Sequence, residues 1–299
     1  MRKNNIFLGY FLVIASAVIY GLTPLITTII QDSGIHPFSL VFLRNLFSLP
    51  MLAIAAKLSG GGLKINPRAI PSIAWIALFG CCVTPILLYT SYPLIGTGMA
   101  TVFHFVYPAI VLVLSLVFLK SKFKFANIAS LVICVVGIVI MFAFGGTGVQ
   151  INAMGSVLAI VSGIAYAIYI VGLAGFKYKE ISGFTFTFYG AIFCTIVSFI
   201  VCVCSGNLTW PTSTGVWLLC VLFALICNLG AVILFQKGTQ IIGGERAAIL
   251  SALEPITGVV VGIAFLSEDG GWYTIVGTIL VVASSVLIAV FDMKDKKQE

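Results

Sequence analysis

Glu254 stands immediately before Pro255 in an apolar run, and Arg44 and His104 sit within two others. Such groups are costly in lipid, roughly 3 kcal/mol for an ionised one on insertion scales, so they pair, face water or serve function. Counting roughly 1.5 Å per helical residue from Arg246 puts Glu254 about 12 Å deep, near the midplane of a core about 30 Å thick. There it could carry a coupling proton, hold a cationic solute, or act as a fixed partner of Arg44. By the same count Arg44 lies about 9 Å below the opposite edge, where it meets a solute or snorkels its head outward. His104 could titrate near neutral pH or simply bond a neighbouring helix.

Proline marks the same points. Pro108 and Pro255 interrupt two apolar segments at matching places and are the expected hinges, each removing a backbone donor and displacing a carbonyl, that of His104 or Ser251. The residues before them, Tyr107 and Glu254, align with each other, and both are expected at a cavity. Tyr20 and Tyr166 also occupy equivalent places and are candidate gates at opposite depths, or packed tyrosines with bonded hydroxyls. Asn228, Tyr169 and Tyr189 are further polar groups inside spans.

The elements that position these residues follow from composition. Of 299 residues, 61% are hydrophobic and 8% charged, far below the roughly 25% charge of a soluble domain. The solvent is therefore mostly lipid. Helices are expected at 6–30, 38–58, 70–92, 98–119, 125–144, 153–175, 183–204, 213–237, 246–266 and 272–291. The net charge of +7 forms no nucleic-acid patch. Alternate loops carry the Lys and Arg, including Lys64, Arg68, Lys120, Lys122, Lys124, Lys177 and Lys179, and the loops between carry none. Both termini are thus expected in the cytoplasm. The eight cysteines lie in apolar runs without CxxC spacing, and no metal or cofactor is expected.

The chain repeats itself. Gly9, Ser16 and Tyr20 recur as Gly155, Ser162 and Tyr166 at an offset of 146. Ile95, Gly96, Ala100, Pro108, Phe118 and Leu119 recur as Ile242, Gly243, Ala247, Pro255, Phe265 and Leu266 at an offset of 147. Five helices per half make the second copy enter the membrane upside down. The basic corner 120–124 accordingly aligns with the acidic corner 267–271. The expected fold is all-α and polytopic, ten transmembrane helices as two inverted five-helix repeats, 1–146 and 147–299 with a short cytoplasmic tail. Inverted repeats are a basis for alternating access, with sites near the midplane.

The chain resembles the drug/metabolite transporter superfamily, in its ten-helix EamA-type branch. The resemblance rests on Ala15-Ser16-Ala17-Val18-Ile19-Tyr20-Gly21 with Pro24, on Pro37 followed by Phe42-Leu43-Arg44, and on Glu254-Pro255 leading to Phe265-Leu266-Ser267-Glu268 and Gly277. It implies a bacterial inner-membrane carrier of amino acids, nucleosides, vitamins, amines or other metabolites. Tyr107 stands where a symmetric site would repeat Glu254. The expected function is secondary transport of a small metabolite, an amino acid or related solute, by alternating access; the alternative is a small organic cation such as a quaternary amine. A channel or an intramembrane enzyme is the rival class, but no HExxH, GxSxG, DDxxD or P-loop pattern occurs. The expected partners are the solute, the lipid bilayer and a coupling proton, with no nucleic acid and a monomeric state.

Overall fold

The computed structural model describes residues 3–60, 62–118, 125–144, 152–178, 180–242, 250–251, 253–268 and 270–295. The corner 120–124, Lys179, Gly243, Arg246, Ala247 and the expected repeat boundary at 146/147 lie outside them.

Every regular element among the described residues is helical. In chain order these are α1 (Lys3–Asp32), α2 (Pro37–Leu58), α3 (Pro67–Ile95), α4 (Thr97–His104), α5 (Tyr107–Phe118) and α6 (Phe125–Phe144). Then come α7 (Ala153–Ala174), α8 (Gly183–Cys204), α9 (214–242), α10 (Leu253–Phe265) and α11 (Trp272–Asp295). Among the described residues, six helices are long and apolar enough to cross a membrane, and four shorter apolar stretches accompany them: Thr97–Val111, Val132–Met141, Leu253–Phe265 and Trp272–Ser284.

Helix starts have local causes. Asn152, Ser182 and Ser213 each accept a backbone N–H from three residues on, and His36 accepts the Phe38 N–H, next to Pro37, which has no N–H to satisfy. Gly96, at φ 80°, turns α3 into α4. The surface between the ends is apolar: Phe7 is 76% exposed, Leu218 66% and Ile279 60%. So much outward apolar area calls for lipid rather than water. Several polar side chains bond back to the carbonyls of their own helix, as Thr101 Oγ1 does to Thr97 O at 2.7 Å and Thr278 Oγ1 to Thr274 O at 2.6 Å.

The packing is invariant when the halves are exchanged. α1 packs on α9 and α10 as α7 packs on α3 and on α4 with α5, while α9 meets α2 as α3 meets α8. Contacts between α2 and α8, and between α6 and α11, map onto themselves. α2 and α8 are repeat mates, yet they run antiparallel. Ser39 at the start of α2 bonds Asn207 O beyond the end of α8 at 2.8 Å, and Thr185 near the start of α8 bonds Gly62 O beyond the end of α2 at 2.8 Å. Mates that run in opposite senses define an inverted repeat. The bundle therefore has a Gly96 end and a Gly62 end.

Small residues make the close approaches. A Cβ on Gly9 would fall 2.5 Å from Ile242 Cγ2, and one on Gly155 would fall 2.8 Å from Ile95 Cγ2. Those four residues are two pairs of repeat mates. Gly137 and Gly277 face each other's carbonyls in the same way, each prospective Cβ 3.0 Å from the other residue's oxygen.

Candidate functional site

Helix interruptions converge on the centre of the bundle. The rod expected at 98–119 breaks at Phe105 and Val106, so Tyr107-Pro108 opens α5, and Glu254-Pro255 stands in the first turn of α10. Pro108 leaves the His104 carbonyl without its helical donor, and that oxygen lies 2.6 Å from where a Cβ on Gly163 would stand. Sequence reasoning missed a second pair of interruptions. α3 passes through a π turn at Leu78–Val83 and α9 through one at Leu225–Ala231. The two turns start at positions 147 apart, the offset of the repeat. Each inserted residue re-aims its neighbours, and an apolar run carries no composition signal for it. Gly80 and Cys81 from the first turn, and their mates Cys227 and Asn228 from the second, face one cavity.

That cavity has a volume of about 300 Å³. It is lined by Tyr20, Arg44, His104, Tyr166, Asn228 and Glu254 among the residues expected from sequence. Tyr89, Tyr92, Thr101 and Tyr169 complete its polar wall. Tyr20 and Tyr166, expected at opposite depths, share this single chamber. Tyr107 does not line it; its ring stands edge-on behind Tyr166, with centroids 4.8 Å apart. Tyr189 lies elsewhere, its hydroxyl bonded to Leu63 O at 2.7 Å. From the centre the cavity extends toward the Gly62 end, past Leu173, Phe176, Ile181 and Phe186.

Arg44 does not snorkel to an edge. Its Nη1 donates to the Tyr89 hydroxyl at 2.7 Å, and its guanidinium carbon lies 5.9 Å from the Tyr89 ring centroid. Asn228 Nδ2 reaches the Arg44 carbonyl at 3.4 Å, tying α9 to α2. Gln31 Nε2 donates to the Tyr89 carbonyl at 3.2 Å, which fixes the base of that tyrosine from α1. Tyr89 and Tyr92 were missed because a tyrosine in an apolar helix reads as packing or as an interfacial anchor. Position gives them away: Tyr89 on α3 is the acceptor that Arg44 needs, and Tyr92 packs beside it with ring centroids 5.8 Å apart.

The other wall is aromatic. His104 is 5% exposed and its Nδ1 shares a hydrogen bond with Ser162 Oγ at 2.8 Å. Its ring lies 5.4 Å from Tyr166, which stacks on Tyr169 at 5.6 Å. Glu254 is half-buried and lines the same chamber from α10. The arrangement thus offers one cationic group, one carboxyl and several tyrosine faces around a small volume. Among the described residues no cluster of three or more His, Cys, Asp or Glu could hold a metal ion.

The signature of the EamA-like transporter family matches residues 7–143 and again 153–290. The chain belongs to the EamA-like transporter family. Two curated relatives carry the words "uncharacterized transporter". That of a Synechocystis strain is 29% identical over 269 residues, covering 85% of this chain and 79% of its own. That of Clostridium kluyveri is 20% identical over 297 residues, covering 93% and 92%. A solved crystal structure, 14% identical, matches with a TM-score of 0.66 over 97% of this chain and 99% of that one, a likeness of fold. As an EamA protein the chain is a polytopic membrane transporter of small solutes.

Proposed function

We propose that this EamA protein is a secondary carrier of a small zwitterion, an amino acid or a close chemical relative, working by alternating access. One observation carries the reading. Arg44 and Glu254 line the same small cavity, and Arg44 is held by a neutral tyrosine hydroxyl. A solute with a carboxylate and an ammonium group complements both walls, and burial in a narrow chamber strengthens both contacts. Inverted repeats supply the second conformation, because exchanging the roles of the halves moves the opening from one end to the other. Glu254 is the candidate coupling group, a carboxyl near the midplane.

A quaternary amine is the second reading. Tyr20, Tyr166 and Tyr169 around Glu254 provide the aromatic faces and the negative charge that such a cation needs. Arg44 in the same chamber opposes a lone cation, which places the zwitterion first.

Orientation follows from charge. Lys57, Lys64, Arg68 and Lys177 all sit at or beside the Gly62 end, which makes it cytoplasmic in a plasma or inner membrane, with both termini on that side. The halves divide at 146/147, and one monomer contains both.

The test is thermal-shift screening followed by flux in proteoliposomes. Neutral amino acids should stabilise the purified protein and show saturable uptake with counterflow. Stabilisation by choline alone would transfer the assignment to the quaternary amine. Flux that neither saturates nor counterflows would remove the carrier mechanism.

A further inference from the structure

Glu268 belongs to the corner after α10, and the proposed transport function leaves it unused. Its carboxylate is inserted into the start of α4 in the opposite half. Oε1 accepts the Thr97 backbone N–H and also the Thr97 hydroxyl, the latter at 2.7 Å. Oε2 accepts the Gly98 N–H at 2.8 Å. α4 begins at a glycine, so it has no side chain of its own to satisfy these donors; the carboxylate of the other half does so, at the positive end of the helix.

The socket is built to receive it. Cβ atoms on Gly96 and Gly98 would lie 3.1 Å and 3.0 Å from the Glu268 carboxyl group, and one on Gly262 would clash with it. Three glycines from two halves thus leave room for one side chain. The backbone that delivers it is unusual: Ser267 takes φ 54°, a left-handed conformation for a residue with a Cβ, while the Glu268 N–H returns to Gly262 O at 3.0 Å. α4 also carries Thr101 and His104, which line the cavity. The contact therefore ties a cavity wall of one half to the α10–α11 corner of the other, at the end away from the cavity's extension. The repeat mate of Glu268 is Ser121, which has no carboxylate.

We infer that Glu268 is the latch of the Gly96 end: its carboxylate holds that end shut while the cavity opens toward the Gly62 end, and it leaves the start of α4 when the solute is exchanged on the Gly96 side. This rests on the alternating-access reading. Glu268 acts on the solute through α4 and is a gating residue, not a ligand.

Accessibility from each face tests it. A Leu88→Cys reporter on the cavity wall, in a background where Cys81, Cys204 and Cys227 are replaced by Ser, is labelled with a membrane-impermeant maleimide in intact cells and in inverted vesicles. Glu268→Ala and Glu268→Gln should raise labelling from the Gly96 side about tenfold, as expected for losing charge-assisted bonds that bias a two-state gate. Labelling from the other side should fall. Thr97→Val, which keeps the two backbone donors, should give a smaller change in the same direction and serves if the Glu268 variants do not fold. Unchanged labelling ratios in folded variants, while the parent reporter still alternates with solute, would overturn the latch alone. A parent reporter that never alternates would overturn the carrier reading, and the latch with it.

Discussion

Arg44 Nη1 donates a hydrogen bond to the Tyr89 hydroxyl at 2.7 Å, while the Nε of the same guanidinium is buried without a partner. A buried donor left unsatisfied costs roughly 1–3 kcal/mol. The tyrosine thus fixes the cation's direction but does not exhaust its bonding capacity, and an acceptor brought by a solute completes it. Tyr89→Phe keeps the ring and removes the hydroxyl. Its affinity for a neutral amino acid should fall roughly tenfold, about 1.4 kcal/mol, read from thermal-shift titration. An unchanged affinity would mean that Arg44 needs no such support.

Glu254→Gln keeps the size and the hydrogen-bonding atoms but removes the titrating proton. Uptake driven by a pH gradient should be lost, while solute exchange between equal internal and external concentrations should persist if the carboxyl serves coupling alone. Loss of both would assign it to solute binding. Full retention of both, with the parent's pH profile, would remove Glu254 from the mechanism.

The paired contacts of Gly9 with Ile242 and of Gly155 with Ile95 set the distance between the halves. Gly9→Val or Gly155→Val forces a side chain into occupied space, and overpacking of this kind costs about 1–3 kcal/mol. Melting temperatures of the purified variants should fall in both cases. Because the sites are repeat mates, the losses should be similar in size; a loss at one site alone would show that the halves are not equivalent there.

Much of this was legible in the residues. Apolar length and the Lys/Arg census located the helical segments, and Tyr107-Pro108 marked the break between α4 and α5 because proline denies the helix a donor. Arg44, Glu254, His104 and Asn228 stood out because polar groups are scarce in apolar runs. What stayed hidden has a common cause. The π turns at Leu78–Val83 and Leu225–Ala231 depend on tertiary packing, not on any residue type. The Glu268 socket joins positions 170 apart, which no local pattern of residues links. Comparing the halves offered the missed signal, since Cys81 and Asn228 share the repeat offset of 147 and differ in polarity.

His36 gives an acid-sensitive cap. Its Nδ1 accepts the Phe38 N–H at 3.3 Å, a role open to the neutral ring, and burial pushes its pKa below the usual 6.5. The unfolded chain therefore binds the proton first, so this contribution is complete above pH 6.5 and is lost as pH falls through the lower folded value. Melting temperature should drop modestly between pH 7.5 and pH 5. His36→Asn, a good cap that does not titrate, should flatten that part of the profile; a parallel profile would show that the cap is not the sensitive group.

Cys204 closes α8 near the Gly96 end and is exposed, whereas Cys202 and Cys220 nearby are buried. The Lys and Arg residues gather at the other end, so under the proposed orientation Cys204 faces outward. An impermeant maleimide should label Cys204 in intact cells, and Cys204→Ser should remove that label. Inverted vesicles should give the opposite pattern, with Cys81 approached through the chamber from the Gly62 side and protected by bound solute. Labelling of Cys204 confined to inverted vesicles would turn the whole bundle over, and import and export would exchange meaning for every site described.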